Sequence, residues 1–166
     1  MLADASANEA KDELWAIYAW WSCVLVLKMM SLTWFTGLIR VKKQVIHSEE
    51  DRMWMLKPDI ILCPTGDGHP DVIRIRSAHR KDLETVLLFL VFSPLWLNVE
   101  TCRSTVKILI PSFSLSSILY TILHMNLIQM SSFYKDAFSI ILCLILTYIC
   151  AIAIVRCIFI IALYNF

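Results

Sequence analysis

Polar and apolar residues are segregated along this chain rather than alternating. Apolar runs occupy roughly residues 14–39, 83–97, 106–130 and 137–164, with most of the charge between them. Three of the runs exceed the roughly 20 residues that a helix needs to cross the hydrocarbon core of a bilayer. The second reaches that length once its charged lead-in from Asp71 is included. Barrel strands would show an alternation of period two, and these runs lack it. Backbone groups in lipid must be satisfied within their own segment, so helices are expected over about 14–39, 71–97, 106–130 and 137–164, with a loop over 40–70. The predicted fold class is all-α, an integral membrane four-helix bundle forming one domain over residues 1–166.

Composition agrees with this pattern: of 166 residues, 58% are hydrophobic and three are glycine, and mean hydropathy is +0.67. The net charge of +1 is less informative than its distribution. Nine of the 15 Lys and Arg lie between Arg40 and Lys81, which by the positive-inside rule places the first loop in the cytosol and both termini on the other side. The N-terminal residues are acidic and no small-residue cleavage site follows the first apolar run, so that helix is expected to stay as an anchor. No nucleic-acid partner is expected. Six cysteines show no paired spacing, and Cys143, Cys150 and Cys157 recur every seven residues as small side chains suited to close helix approach. Cys63, His69 and His79 match no zinc pattern, so no metal is expected.

The candidate chemistry lies where charge meets the second apolar run. Residues 74–85 carry four basic and two acidic side chains and pass into Val86-Leu-Leu-Phe-Leu-Val without a turn signal. Ionised groups in hydrocarbon are costly, so a charged helical face at this boundary suits a polar ligand. On a helix Arg74, Ser77, Lys81 and Glu84 share one face, with Arg80 one turn before Glu84. Lys28 lies twelve residues before Arg40, about 18 Å deeper along a helix, and is expected to form an ion pair with Asp82 or Glu84. The third run carries a hydroxyl band from Ser112 to Thr121, read as Ser and Thr bonding to carbonyls within or across helices.

Leu27-Lys-Met29, Thr36-Gly-Leu-Ile-Arg40, Ser48-Glu-Glu-Asp51, Pro70-Asp-Val-Ile-Arg74 and Ala78-His-Arg-Lys-Asp-Leu-Glu-Thr85 together resemble the MAPEG family of membrane-associated proteins in eicosanoid and glutathione metabolism. The resemblance is to the branch of microsomal glutathione transferase 1 and microsomal prostaglandin E synthase, and it weakens after Phe92. It implies a homotrimer with glutathione held between helices of adjacent subunits near the cytosolic face. Matched position by position, Arg40, Arg74 and Glu84 would contact glutathione. Ser77 stands where the family has a second arginine, Lys81 where it has asparagine, and Arg80 at a position where relatives are also basic. Arg76 is not expected to replace the arginine missing at 77, because one residue turns a helix by about 100°.

The third helix departs further from the family pattern of arginine, histidine, threonine and tyrosine, which falls on Phe113, Ser116, Ser117 and Tyr120. Family chemistry runs through a glutathione thiolate, and a thiol of pKa about 8.5 needs stabilising donors to ionise at neutral pH. Tyr120 and Ser117 are the catalytic candidates, as neutral donors to that thiolate. The expected function is a membrane-bound glutathione transferase, with peroxidase chemistry as an extension, detoxifying lipophilic electrophiles that arrive from membrane lipids. The endoplasmic reticulum membrane or the mitochondrial outer membrane is the expected location. The alternative is a catalytically degenerate relative acting as a lipid-binding or scaffold protein.

Overall fold

The computed structural model describes residues 2–46, 61–63, 68–98, 102–125 and 132–164. They form helix α1 (Leu2–Lys43), a two-residue strand pair β1 (Val45–Ile46) and β2 (Ile61–Leu62), and helices α2 (Pro70–Leu97), α3 (Arg103–His124) and α4 (Ser132–Tyr164). The chain is a multi-pass, all-α membrane bundle. Of its helices α1, α3 and α4 are each long and apolar enough to cross a bilayer.

Helix α1 runs past both ends of its apolar run. It finishes on Arg40, Lys42 and Lys43, whose charges complement the C-terminal dipole. Gln44 then takes a left-handed φ of 56°, which turns the chain out of the helix and into β1. The parallel pairing of Val45 with Ile61 and Ile46 with Leu62 returns the loop to the end of α1. These short strands went unread in the sequence because two residues carry no periodic signal.

Helix α2 starts one residue earlier than expected. Its N-cap is His69, whose Nδ1 accepts a hydrogen bond from the Asp71 N–H at 3.2 Å. Pro70 fits the first helical position because the N–H it lacks would have no partner there. Asp71 sits in the first turn and meets Lys43 at 3.3 Å and Arg74 at 3.7 Å, tying the ends of α1 and α2 together. The helix continues through Pro94 to Leu97. For α3 the described helix ends at His124, and residues 126–130 of the expected span lie outside the described residues.

Helix α2 packs against α1, α3 and α4, while α1 and α4 stand at opposite corners of the bundle. Lipid is as apolar as leucine, so close packing and polar contacts rather than exclusion from water hold such helices together. The centre is a stack of Phe89 on Phe113, with ring centroids 4.0 Å apart, surrounded by Leu25, Ile110, Leu142 and Ile149. The buried face of α4 is Leu142, Ile145, Ile149 and Ala153. The cysteine stripe does not share it: Cys143 and Cys157 are exposed and Cys150 is half-buried. Bulky aliphatic side chains thus make the contact within the bundle, contrary to the expectation from the heptad of small residues. Trp20 and Trp34 on α1 and most of α4 beyond Ala153 point outward, as suits lipid contact.

Polar groups pin this bundle at two levels. Lys28 Nζ donates to Asp82 Oδ1 at 2.8 Å, to Ser117 Oγ at 2.7 Å and to the Ser117 carbonyl at 2.9 Å, joining α1, α2 and α3. This is the expected mid-membrane ion pair, and Asp82 rather than Glu84 is the partner. At the opposite end from Arg40, Glu13 of α1 is bound by Arg103 and Lys107 of α3. The hydroxyl band of α3 is partly turned inward, where Ser114 and Thr121 donate to the carbonyls of Ile110 and Ser117.

Candidate functional site

Between α1 and α2, at the end of the bundle where α1 finishes and α2 begins, lies a cavity of about 690 Å³. Helix α1 contributes Thr33, Thr36, Gly37 and Arg40, spaced so that all lie on one face. The Thr33 and Thr36 hydroxyls donate within the helix, to the carbonyls of Met29 and Leu32, so their oxygens retain only acceptor capacity. Gly37 has open space where a Cβ would stand, so its hydrogen leaves the wall recessed. Helix α2 contributes Ile73, Arg76, Ser77, Arg80 and Leu83 along one face, with His79 beside them. The described lining therefore holds the guanidinium groups of Arg40, Arg76 and Arg80 and no carboxylate. Arg40 Nε and His79 Nδ1 are buried without a hydrogen-bond partner among the described residues.

An N–H donor that is buried and unpaired costs about 1–3 kcal/mol, more when the group is charged. A cavity lined by three arginines, with no Asp or Glu among its described lining residues, favours an anion. Carboxylates suit it best, because a guanidinium grips them through two parallel bonds.

Of the residues expected from the sequence, Arg40, Ser77 and Arg80 meet in this cavity. Arg74 lies outside its lining, half exposed and directed to Asp71; Lys81 is half-buried, and Glu84 is exposed on the neighbouring face of α2. Ser117 is fully buried at the centre of the bundle, holding Lys28. Tyr120 is half-buried and does not line the cavity; its ring stacks on His124, with centroids 5.5 Å apart.

Sequence reasoning assigned no role to two residues at this site, Arg76 and His124. Arg76 reaches the cavity because it follows Ile73 by three residues and precedes Arg80 by four, on the face that α1 approaches. His124 Nε2 lies 2.6 Å from Ser77 Oγ, while that hydroxyl is 2.8 Å from the Arg74 carbonyl. A hydroxyl has one proton to donate. If it goes to the carbonyl, the imidazole must donate from Nε2, leaving Ser77 as the bridge between the cavity wall and the Tyr120–His124 stack. The available signal was the spacing: His124 falls one turn after Tyr120.

Residues 18–155 match the MAPEG family. The chain belongs to the MAPEG family. A relative of part of it is prostaglandin E synthase from Rattus norvegicus, 35% identical over 69 residues, a match covering 42% of this chain and 42% of that protein. The matched segment thus spans less than half the relative's length. Phe113 is fully buried against Phe89, a place where an arginine would lack water and a counter-ion.

The Ser77–His124 contact yields a modest prediction for this MAPEG chain. His124→Phe keeps a ring against Tyr120 and deletes the bond to Ser77, so it should lower stability in detergent by about 1 kcal/mol, the net worth of a neutral hydrogen bond. Thermal unfolding of the two proteins checks this, and an unchanged melting temperature would mean that the bond contributes nothing.

Proposed function

We propose that this chain is a membrane-bound glutathione transferase that conjugates lipophilic electrophiles. The observation that carries the reading is a cavity lined by Arg40, Arg76 and Arg80 with no Asp or Glu among its described lining residues. Glutathione is an anionic, flexible tripeptide, and Arg40 and Arg80 are suited to its carboxylates. Lys81 adds hydrogen-bond donors, Ser77 adds a hydroxyl oxygen that can accept, Arg74 adds positive potential from outside the lining, and Glu84 is the acceptor for the ligand ammonium. The match to a prostaglandin E synthase supports the same chemistry class.

Cations around the cavity favour loss of the thiol proton to water, and the Tyr120 hydroxyl donates to the resulting thiolate. The thiolate sulfur then bonds to an electrophilic carbon while the leaving group departs with the electron pair of its bond, giving a thioether. Lipid-exposed faces of α1 and α2 border the cavity, so an apolar second substrate can approach from the membrane while glutathione enters from water. A homotrimer in the endoplasmic reticulum or mitochondrial outer membrane, with the Arg40 end cytosolic, completes the reading. In it Tyr120 acts on glutathione bound at a subunit interface. Ser117 supports catalysis from a distance, by positioning Lys28 between the helices.

The test is calorimetric titration of glutathione into the detergent-solubilised protein, followed by ultraviolet absorbance of the bound thiolate. Saturable binding with a thiolate signal supports the enzyme, and absence of binding sinks it. A specific observation favours a second reading, a lipid-binding or scaffold protein with an idle pocket: Ser117 and Phe113 are committed to the bundle interior. Binding without thiolate, and no turnover of a chloronitrobenzene above the solution rate, would select that alternative.

A further inference from the structure

We propose that His124, acting through the Ser77 hydroxyl, carries the proton of the ligand thiol out of the cavity to water; the inference rests on the glutathione reading above. Ser77 stands near the middle of the α2 wall of the cavity, four residues after Ile73 and six before Leu83. That wall is about 15 Å long, and the thiol of glutathione is likewise on the middle residue of three. Carboxyl groups have already lost their protons at neutral pH, and the ligand ammonium keeps its own as the partner of Glu84. A thiol of pKa about 8.5 is still protonated, so it is the ligand acid whose proton has to move.

Two short contacts make the path. Ser77 Oγ lies 2.6 Å from His124 Nε2 and 2.8 Å from the Arg74 carbonyl, so its single proton can turn toward either acceptor. Turned toward the imidazole, the hydroxyl leaves its lone pairs to an S–H donor in the cavity. The S–H bond then breaks with its electron pair staying on sulfur as the thiolate. Its proton joins Ser77 Oγ while the hydroxyl's own proton passes to Nε2, so the serine ends unchanged. The ring is only half-buried, and the imidazolium gives a proton to water. His124 closes α3, where the helix dipole favours a cation. The charged groups that act on the ring are Arg74 of α2 and Lys135 of α4, and Tyr120 stacks on it from its own helix with centroids 5.5 Å apart. Guanidinium, ammonium and phenol groups already hold their protons near neutral pH, so the imidazole is the member of this cluster able to take one. It also stands one turn from Tyr120, the donor assigned to the thiolate that forms.

Stopped-flow ultraviolet absorbance follows thiolate formation after glutathione is mixed with the full-length protein in detergent, and calorimetry gives the affinity. His124→Gln keeps an amide that can bond Ser77 but takes up no proton. It should slow thiolate formation by about 100-fold, the lower end of what a positioned base contributes, with the affinity for glutathione unchanged. Ser77→Ala removes the hydroxyl and should slow thiolate formation equally, which serves where the glutamine variant folds poorly. Joining the two changes should slow it no further, because both break one path. As pH falls, wild type should lose rate when the imidazole takes up a proton from solution, and His124→Gln should lack that step. An unchanged rate in either variant, or an affinity that falls with the rate in His124→Gln, overturns the relay while leaving the glutathione reading intact. Failure of wild type to bind glutathione, or to form the thiolate, overturns both.

Discussion

Asp82→Ala should lower the unfolding free energy of the solubilised protein by about 3–5 kcal/mol, the usual cost of leaving one member of a buried ion pair without its partner. The Lys28 side chain is 11% exposed and that of Asp82 2%, so water cannot replace the lost carboxylate. Ser117 would still accept two hydrogen bonds from the ammonium, but neither brings a negative charge. The second Asp82 oxygen has no partner among the described residues, so the pair is held at a real desolvation cost. Replacing both residues together, as Lys28→Met with Asp82→Leu, should therefore recover most of the loss, because apolar side chains of similar volume remove that cost as well. Thermal unfolding followed by circular dichroism measures both effects. A double variant as unstable as Asp82→Ala would mean that the pair itself, and not the orphaned charge, holds α1 to α2.

Arg40→Ala should weaken glutathione binding by about 10- to 100-fold, corresponding to the roughly 1.5–3 kcal/mol of a hydrogen bond to a charged group. Arg40 is the basic residue of α1 among the described cavity lining, so its loss removes the cation that faces α2. Arg40→Lys should restore only part of the affinity, since an ammonium keeps the charge but not the two-pronged geometry. Calorimetry on the three proteins distinguishes these outcomes. Equal affinity for wild type and Arg40→Ala would remove the cavity from consideration as the glutathione site, whatever the activity of the protein.

The candidate site was legible in its location and only partly in its membership. The motif around Ala78–Thr85 pointed to the start of the second helix, and the cavity is there. Helical spacing grouped Arg74, Ser77, Lys81 and Glu84, which do project together, but the cavity is defined by where α1 approaches. That approach selects the face containing Ile73, Arg76, Ser77 and Arg80. Periodicity describes one helix at a time and carries no information about which neighbour covers which face. The cysteine heptad failed for the same reason, being a true stripe beside, rather than on, the contact face of α4.

What the sequence determined by itself is the class of object. Four helices, most of them able to span a bilayer, the charged start of α2 and a buried lysine needing an acid all follow from the cost of placing polar groups in hydrocarbon, which depends on composition and local order alone. Tertiary structure decided the pairings: Asp82 over Glu84 for Lys28, Ser117 turned inward, and His124 brought to Ser77 across 47 residues of chain. These depend on distances between helices, and such distances are set by how side chains pack at each crossing.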